Sequence, residues 1–193
     1  MKTKTTKEIP DSYSSLHDDM SSTEMSKSIM ERSLMTELFE NGLKDVYWAE
    51  KALTKAMQRL IKHASSRHLI EVLETHLAET HDQIMMLEQA FAIIGKKPAA
   101  KRCEAMEGLL KEGEEIVKDT VEGPQRDAGI IAASRKVEHY EIASYSTLCF
   151  FARTLNLDDA AVILEDILDQ EKMADTNLAE LAIITINVSS LLE

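Results

Sequence analysis

Long apolar stripes at helical spacing constrain this chain more than any other feature of its sequence. Four segments carry an apolar side chain at alternating steps of three and four residues, which is the period of an amphipathic α-helix. The three prolines stand at positions 10, 98 and 124, so no proline interrupts the interior of these segments, and there are only six glycines in the whole chain. A chain of 193 residues can bury a sizeable core as one helical domain. We therefore predict an all-α fold.

Turn signals divide the stripes into four long helices and a shorter one. Ser65 and Ser66 follow the first stripe, Gly95 closes the second, and Asn156 separates the last two. The long helices are predicted at about residues 33–63, 67–94, 124–155 and 158–186, and the segment 103–121 is also helical in pattern. Two short connections and one long crossover are typical of the ferritin-like four-helix bundle, which joins two antiparallel hairpins. We expect this bundle, with a short crossover helix, over residues 33–193.

The N-terminal segment differs from the rest of the chain. Residues 1–32 are rich in Ser, Thr, Lys and Asp, and they contain charge but lack the apolar core of a signal peptide. We predict a flexible N-terminal tail over residues 1–32.

The net charge and the cysteines indicate which binding partners and which cellular compartment this protein can have. A net charge of −12 disfavours nucleic acid and anionic membranes as partners, and no window approaches the length of a membrane span. The two cysteines, Cys103 and Cys149, form no CxxC or zinc-like spacing, which favours a reducing interior over a disulfide framework. We expect a soluble cytoplasmic protein.

An acidic residue stands near the centre of every long helix, within its apolar stripe. These residues are Glu50, Glu79, Glu141 and Glu171. Because the centres of antiparallel helices share one level, the four carboxylates should meet on the bundle axis. Burying one unpaired carboxylate costs several kcal/mol, and a cluster adds mutual repulsion. Since no Lys or Arg interrupts a stripe, two divalent cations are the expected source of compensating charge.

Three further side chains extend this candidate site. Glu138 precedes Glu141 by three residues on the same face, His76 precedes Glu79 in the same way, and Asp175 follows Glu171 by about one turn. An isolated ExxE usually lies at a solvated helix edge, and an isolated core histidine is more often hydrogen-bonded than a ligand. Because the acids of all four helices lie at the same level and on the inward face, metal ligation is favoured. A ligand set of carboxylates with one or two nitrogens suits iron or manganese. The predicted metal ligands are Glu50, Glu79, Glu138, Glu141, Glu171, Asp175 and His76.

Other polar side chains near these acids receive supporting roles. Gln83 occupies a position on the second helix where an amide would orient a ligand rather than bind metal. Tyr145 would either hydrogen-bond a carboxylate or simply pack. His139 points away from the stripe and is expected to bond between helices. No catalytic residue is assigned.

Several strings resemble the YciF/YciE group of bacterial stress-associated ferritin-like proteins, and they look closer to its YciF branch. The resemblance covers about residues 37–186 and rests on LKDVYWAEKAL, HLAETHDQI, KRCEAMEGLLKEGEE, RDAGIIAASRKVEHYEIASYSTL and LDQEKMADTNLAELAI. It implies a ferritin-like four-helix fold, a homodimer, and a metal site built from the acids named above. Ala78 and Gln170 stand where an acid often precedes the motif glutamate, but neither lies in a stripe.

Two classes of function are compatible with these features. The first is a di-metal redox protein, with iron expected before manganese, that reacts with dioxygen or peroxide during stress. The second is a non-enzymatic stress protein that sequesters iron or uses metal for structure. Turnover that depends on bound metal would separate the two.

Overall fold

All the regular secondary structure in the described part of the chain is helical. A computed structural model describes residues 22–190, with the side chains of residues 25–183. Within these limits it contains five helices and no strand: α1 (Ser22–His63), α2 (Arg67–Ile93), α3 (Glu104–Asp119), α4 (Pro124–Thr154) and α5 (Asp158–Ser190). The all-α prediction is confirmed. Among the residues described, no helix has both the length and the apolar character that a membrane span requires.

The first helix begins earlier than the sequence pattern predicts. Residues 22–32, assigned above to the flexible tail, form the first turns of α1. No Gly or Pro separates this segment from the stripe that begins near residue 33, so helix propagation continues backwards at one hydrogen bond per residue. The side chains of Met25 and Ile29 are exposed there, and Arg32 donates a hydrogen bond to the carbonyl oxygen of Leu155 at 3.0 Å. Residues 1–21 of the predicted tail lie outside the described range.

The long helices form two antiparallel pairs. Leu60, near the end of α1, packs in one apolar cluster with Leu69, near the start of α2. Phe39 and Phe91 share another cluster at the opposite ends of the same helices. α4 and α5 are arranged in the same way. Ile131, near the start of α4, shares a cluster with Leu178 of α5, and Ala152, near the end of α4, shares another with Ala160, near the start of α5. Each pair is therefore a helical hairpin, as the short connections predict.

The two hairpins pack face to face and enclose one interior. α1 packs on α2 and α4, and α5 packs on the same two helices. The connection from α2 to α4 contains α3, which lies against α1 and α4. Trp48 on α1 is partly buried and packs beside Leu109 of α3 in an apolar cluster. The central acids of the long helices thus face a shared interior, while α3 covers one outer side of it.

Asp127 at the start of α4 stabilises the connection between α1 and α2. Its buried carboxylate accepts hydrogen bonds from the backbone N–H groups of Ser65 and Ser66, both at 2.8 Å. We expect Asp127→Ala to lower the free energy of unfolding by about 1–3 kcal/mol, because two backbone donors lose their acceptor. Urea denaturation measures this change. The exposed neighbour Glu122 provides the control, since Glu122→Ala should change stability by less than about 0.5 kcal/mol; equal effects would contradict the assigned role.

Candidate metal centre

Four side chains from three helices converge in the interior. His76 comes from α2, Glu138 and Glu141 from α4, and Glu171 from α5, and all four are buried. Each offers one ligand atom, and these atoms all lie within 4.8 Å of one another. Metal–ligand bonds of about 2.1 Å place opposite ligands about 4.2 Å apart, so small side-chain adjustments would bring these atoms into a coordination shell.

Glu50 extends the cluster to the fourth long helix. Its side chain is fully buried on α1, and Oε1 accepts a hydrogen bond from the hydroxyl of Tyr145. Burial raises the pKa of Glu50 well above its usual range, and the charge of Glu171 raises it further. Glu50 lies outside the set of four whose ligand atoms are within 4.8 Å of one another, but it is buried in the same interior, and the charges of Glu171, His76 and Glu138 all act on it. All four long helices therefore contribute a buried, potentially charged group at one level.

The cluster contains more buried acceptor atoms than donors to satisfy them. Six atoms of the cluster have no hydrogen-bond partner among the described residues: both oxygens of Glu141, one oxygen each of Glu50, Glu138 and Glu171, and Nε2 of His76. Nε2 does lie 3.5 Å from Glu171 Oε2, too far for a good hydrogen bond. Since buried polar atoms are paired in the large majority of cases, this concentration of unpaired ligand atoms fits a site for cations.

The pKa values of the cluster show the same deficit of positive charge. Burial, followed by the charges of Glu50 and Glu171, raises the pKa of Glu141 well above its usual range. Burial raises the pKa of Glu138 to about 7, although His76 opposes the increase. Burial by itself would lower the pKa of His76, but Glu138 and Glu171 raise it well above its usual value. The metal-free centre therefore favours bound protons, which cations can replace.

Neighbouring polar groups hold the acids in position. The side-chain amide of Gln83 donates to Glu171 Oε1 at 2.7 Å and to the side-chain oxygen of Gln170 at 3.1 Å. His76 Nδ1 lies 3.1 Å from Glu138 Oε1. The hydrogen bond from Tyr145 to Glu50 decides between the two roles that the sequence allowed for this tyrosine. These contacts orient the carboxylates as outer groups commonly do in metal sites.

Asp175, one of the predicted ligands, lies outside the cluster of four in the described structure. Arg135 of α4 donates to both of its carboxylate oxygens, at 2.8 and 3.3 Å, and His139 Nε2 lies 3.3 Å from Oδ1. Its side chain keeps 19% of its surface exposed. The correction has a simple cause: Arg135 lies outside the α4 stripe, but its long side chain reaches across to α5. His139 of α4 is thus close to Asp175 of α5, where the sequence predicts a contact between helices.

Glu79 lies at the border of the centre rather than inside it. Its side chain is partly exposed and lines a small cavity of about 160 Å³ between α2 and α5, together with His76 and Asn177. Partial burial raises the pKa of Glu79, and the charges of His76 and Glu171 act on it in opposite directions. The charges of the cluster therefore affect Glu79, which lies between the cluster and the solvent.

Proteins with similar sequences and structures identify the family of this chain. Residues 34–189 match the family described as Domain of unknown function (DUF892). Protein YciF of Escherichia coli strain K12 is 40% identical over 159 residues, which cover 82% of this chain and 96% of YciF. The crystal structure of the E. coli stress protein YciF superposes with a TM-score of 0.77 at 41% identity, over 79% of this chain and 97% of that chain.

Two further solved structures have similar folds. YcfI from Rhodopseudomonas palustris, proposed there to be a structural protein, matches with a TM-score of 0.74 at 41% identity, covering 75% of this chain and 92% of its own. A protein from Xanthomonas campestris matches with a TM-score of 0.63 at 23% identity, covering 80% of this chain and 94% of its own, and it supports the fold alone. The chain belongs to the DUF892 family and resembles the stress protein YciF.

Proposed function

We propose that this member of the DUF892 family is a ferritin-like di-metal carboxylate protein of the stress response that reacts with dioxygen or peroxide. The observation that carries the proposal is the buried cluster of His76 and the glutamates, in which six ligand atoms have no hydrogen-bond partner among the described residues. The two antiparallel hairpins support a ferritin-like bundle, whose di-metal members build their sites from inward-facing acids.

Charge balance favours two ions over one. The four fully buried glutamates would carry four negative charges when ionised, and two divalent cations would carry four positive charges. His76 would supply a neutral nitrogen ligand. This donor set suits iron first and manganese second. The proposed ligands are Glu50, His76, Glu138, Glu141 and Glu171, with Glu79 as a further ligand from the solvent side.

The surroundings of the centre fit redox chemistry on a small oxidant. Two ions that each pass from the divalent to the trivalent state would supply the two electrons that reduce one hydrogen peroxide, with two protons, to two waters. The chain's own residues would hold the centre away from bulk water, while Gln83 and Tyr145 keep Glu171 and Glu50 oriented. A separate reductant must return the electrons.

A second candidate function is structural or storage binding of the same ions. The complete burial of Glu50, Glu141 and Glu171 favours it, because enclosed metal sites commonly stabilise folds. The description of the R. palustris relative as a structural protein agrees with this alternative. It differs from the redox proposal only in lacking turnover.

One experiment tests the metal site and separates the two functions. The full chain is purified without added metal, loaded anaerobically with ferrous iron, desalted and analysed for metal. We expect two ions per chain, and fewer than about half an ion per chain would contradict the proposal. Peroxide is then added: consumption that follows bound iron and stops with a chelator supports the redox function. Full loading without consumption of peroxide or dioxygen supports the structural one.

Protons and metal ions should compete at the centre, with opposite effects of pH. Without metal, stability from protonated Glu138 is fully present below its ordinary pKa of 4.5 and is lost as pH rises towards about 7. His76, whose pKa is also raised, acts in the same direction. With metal bound, the ligands must be deprotonated, so stability should increase with pH over this range. Thermal melts between pH 5 and 8, with and without chelator, measure both slopes.

The Glu138→Gln variant is the control for all other titrating groups. Subtracting the melting temperatures of the variant from those of the parent protein leaves the part of the pH dependence that belongs to Glu138. In the metal-free protein this part should have a negative slope. The same sign of slope in the chelated and loaded proteins, after this subtraction, would contradict competition at the centre.

We also propose that the protein is a cytoplasmic homodimer that binds neither nucleic acid nor membranes. Both cysteines are free and buried, in agreement with a reducing compartment, and the exposed Met85 could contribute to a dimer contact. Trp48 is partly buried against α3 and therefore offers less surface to a partner. Sedimentation at micromolar concentration should give about twice the chain mass of 21.7 kDa, and a species of the chain mass alone would contradict dimerisation.

A further inference from the structure

A second cavity, of about 420 Å³, reaches the metal centre from another side. It lies between α1, α3 and α4, and its walls are mainly apolar side chains: Leu53, Ala56, Met57, Leu109, Leu110 and Val137. Its volume lies within the range of small-molecule binding sites. Most of these walls belong to the apolar cluster around α3.

The two ends of this cavity differ in chemistry. Its lining includes the buried side chains of His76 and Glu138, so one end contacts the candidate metal centre. The lining also includes three exposed side chains of the basic residues Arg59, His63 and Lys118. Glu114, also at this end, is paired with Arg59. Because Glu114 balances the charge of Arg59, Lys118 supplies the net positive charge of the solvent end, although the whole chain has a net charge of −12.

We propose that this cavity binds a free amphipathic monocarboxylate, with the carboxylate near Arg59 and Lys118 and the hydrocarbon chain directed towards His76 and Glu138. Apolar walls would hold the chain by excluding water, and the cationic end would select an anionic head group. The proposal deepens the proposed function, because it names the class of molecule that would approach the centre. It concerns binding and includes no chemical step.

Calorimetric titration of the full-length protein with straight-chain carboxylates tests the proposal. Affinity should increase from hexanoate to decanoate by roughly fourfold for each added methylene, as expected for burial of about 0.8 kcal/mol each. Decylamine, which has the same chain with a cationic head, should bind at least tenfold more weakly than decanoate. Absence of decanoate binding at millimolar concentration, or equal binding of decylamine, would overturn the proposal.

A matched pair of variants locates the binding site. Ala56 is buried in the wall of the cavity, and Ala56→Phe should fill it and weaken decanoate binding at least tenfold. Ala105 is exposed on α3, and Ala105→Phe should leave binding unchanged. Unchanged binding in Ala56→Phe would overturn the proposal.

Gly113→Ala is a milder variant that should fold even if Ala56→Phe does not. An added Cβ at Gly113 meets only the Cβ of Ala133, at an ordinary contact distance of 3.7 Å. Because Gly113 lines the cavity, the added methyl group should weaken decanoate binding several-fold while the melting temperature stays equal or increases. Binding equal to that of the parent protein would count against the proposed location.

Comparison of metal-free and iron-loaded protein separates this proposal from the proposed function. Decanoate binding by a protein that fails to take up iron would leave the cavity assignment in place and overturn the metal site. Normal iron uptake without decanoate binding would leave the metal site in place and overturn the cavity assignment.

Discussion

Glu141→Gln is expected to weaken metal binding by roughly 100-fold or more, while leaving the metal-free protein equally stable or more stable. Loss of an outer group in a metal site commonly costs 10–100-fold in affinity, so loss of a direct ligand should reach at least the upper end of that range. A neutral amide is a poor ligand and leaves the charge of the cation uncompensated. Competition with a calibrated chelator measures the affinity directly.

The metal-free result follows from the surroundings of Glu141. Its side chain is fully buried, and neither oxygen has a hydrogen-bond partner within the described structure. Burial and three neighbouring acids raise its pKa well above the usual range. Removing its capacity to ionise therefore removes repulsion without breaking a hydrogen bond.

Paired thermal melts distinguish this behaviour from that of an ordinary core glutamate. The variant should lose the stabilisation that iron gives the parent protein, yet melt at the same or a higher temperature in chelator. Glu180→Gln changes an exposed acid on α5 and should affect neither melt. Equal destabilisation of Glu141→Gln with and without chelator would show that Glu141 is structural.

Helical periodicity predicts which of these side chains meet, because direction and level are both local properties of a helix. The steps of three and four residues identify the inward face, and the short connections align the centres of neighbouring helices. Those two conditions are sufficient to bring together Glu50, Glu141 and Glu171, and the spacing of three adds His76 and Glu138. The same stripes place Gln83 and Tyr145 near the acids, and the structure supplies the hydrogen bond that the sequence left open for Tyr145.

The apolar stripes do not predict features that depend on how neighbouring helices pack. Glu79 is only partly buried, because a residue at the edge of a stripe changes exposure with a small rotation of its helix. The hydrogen bonds from Ser65 and Ser66 to Asp127 connect segments about sixty positions apart and have no periodic signal. The apolar cavity depends on how α3 rests on α1 and α4, which connection lengths do not determine.

Asp175 and Glu171 provide the most direct test of where the centre ends. They lie about one turn apart on α5, and both belong to the stripe of that helix. Glu171 is fully buried among the other acids, whereas Asp175 is bound by Arg135 on the side of α4. The same chemical change at the two positions should therefore have different consequences.

Glu171→Gln should reduce iron uptake from two ions per chain to one or none, because Glu171 lies near Glu50, Glu138 and His76 together. Asp175→Asn should leave two ions bound and instead lower stability, since Arg135 would lose its charged partner; a partly exposed pair of this kind contributes about 0–1 kcal/mol. Metal analysis after anaerobic loading measures the first effect and urea denaturation the second. If Asp175→Asn lost iron as completely as Glu171→Gln, the centre would have to include Asp175, and its ion pair with Arg135 would have to open when metal binds. Retention of two ions by Glu171→Gln would instead exclude the carboxylate of Glu171 as a necessary ligand.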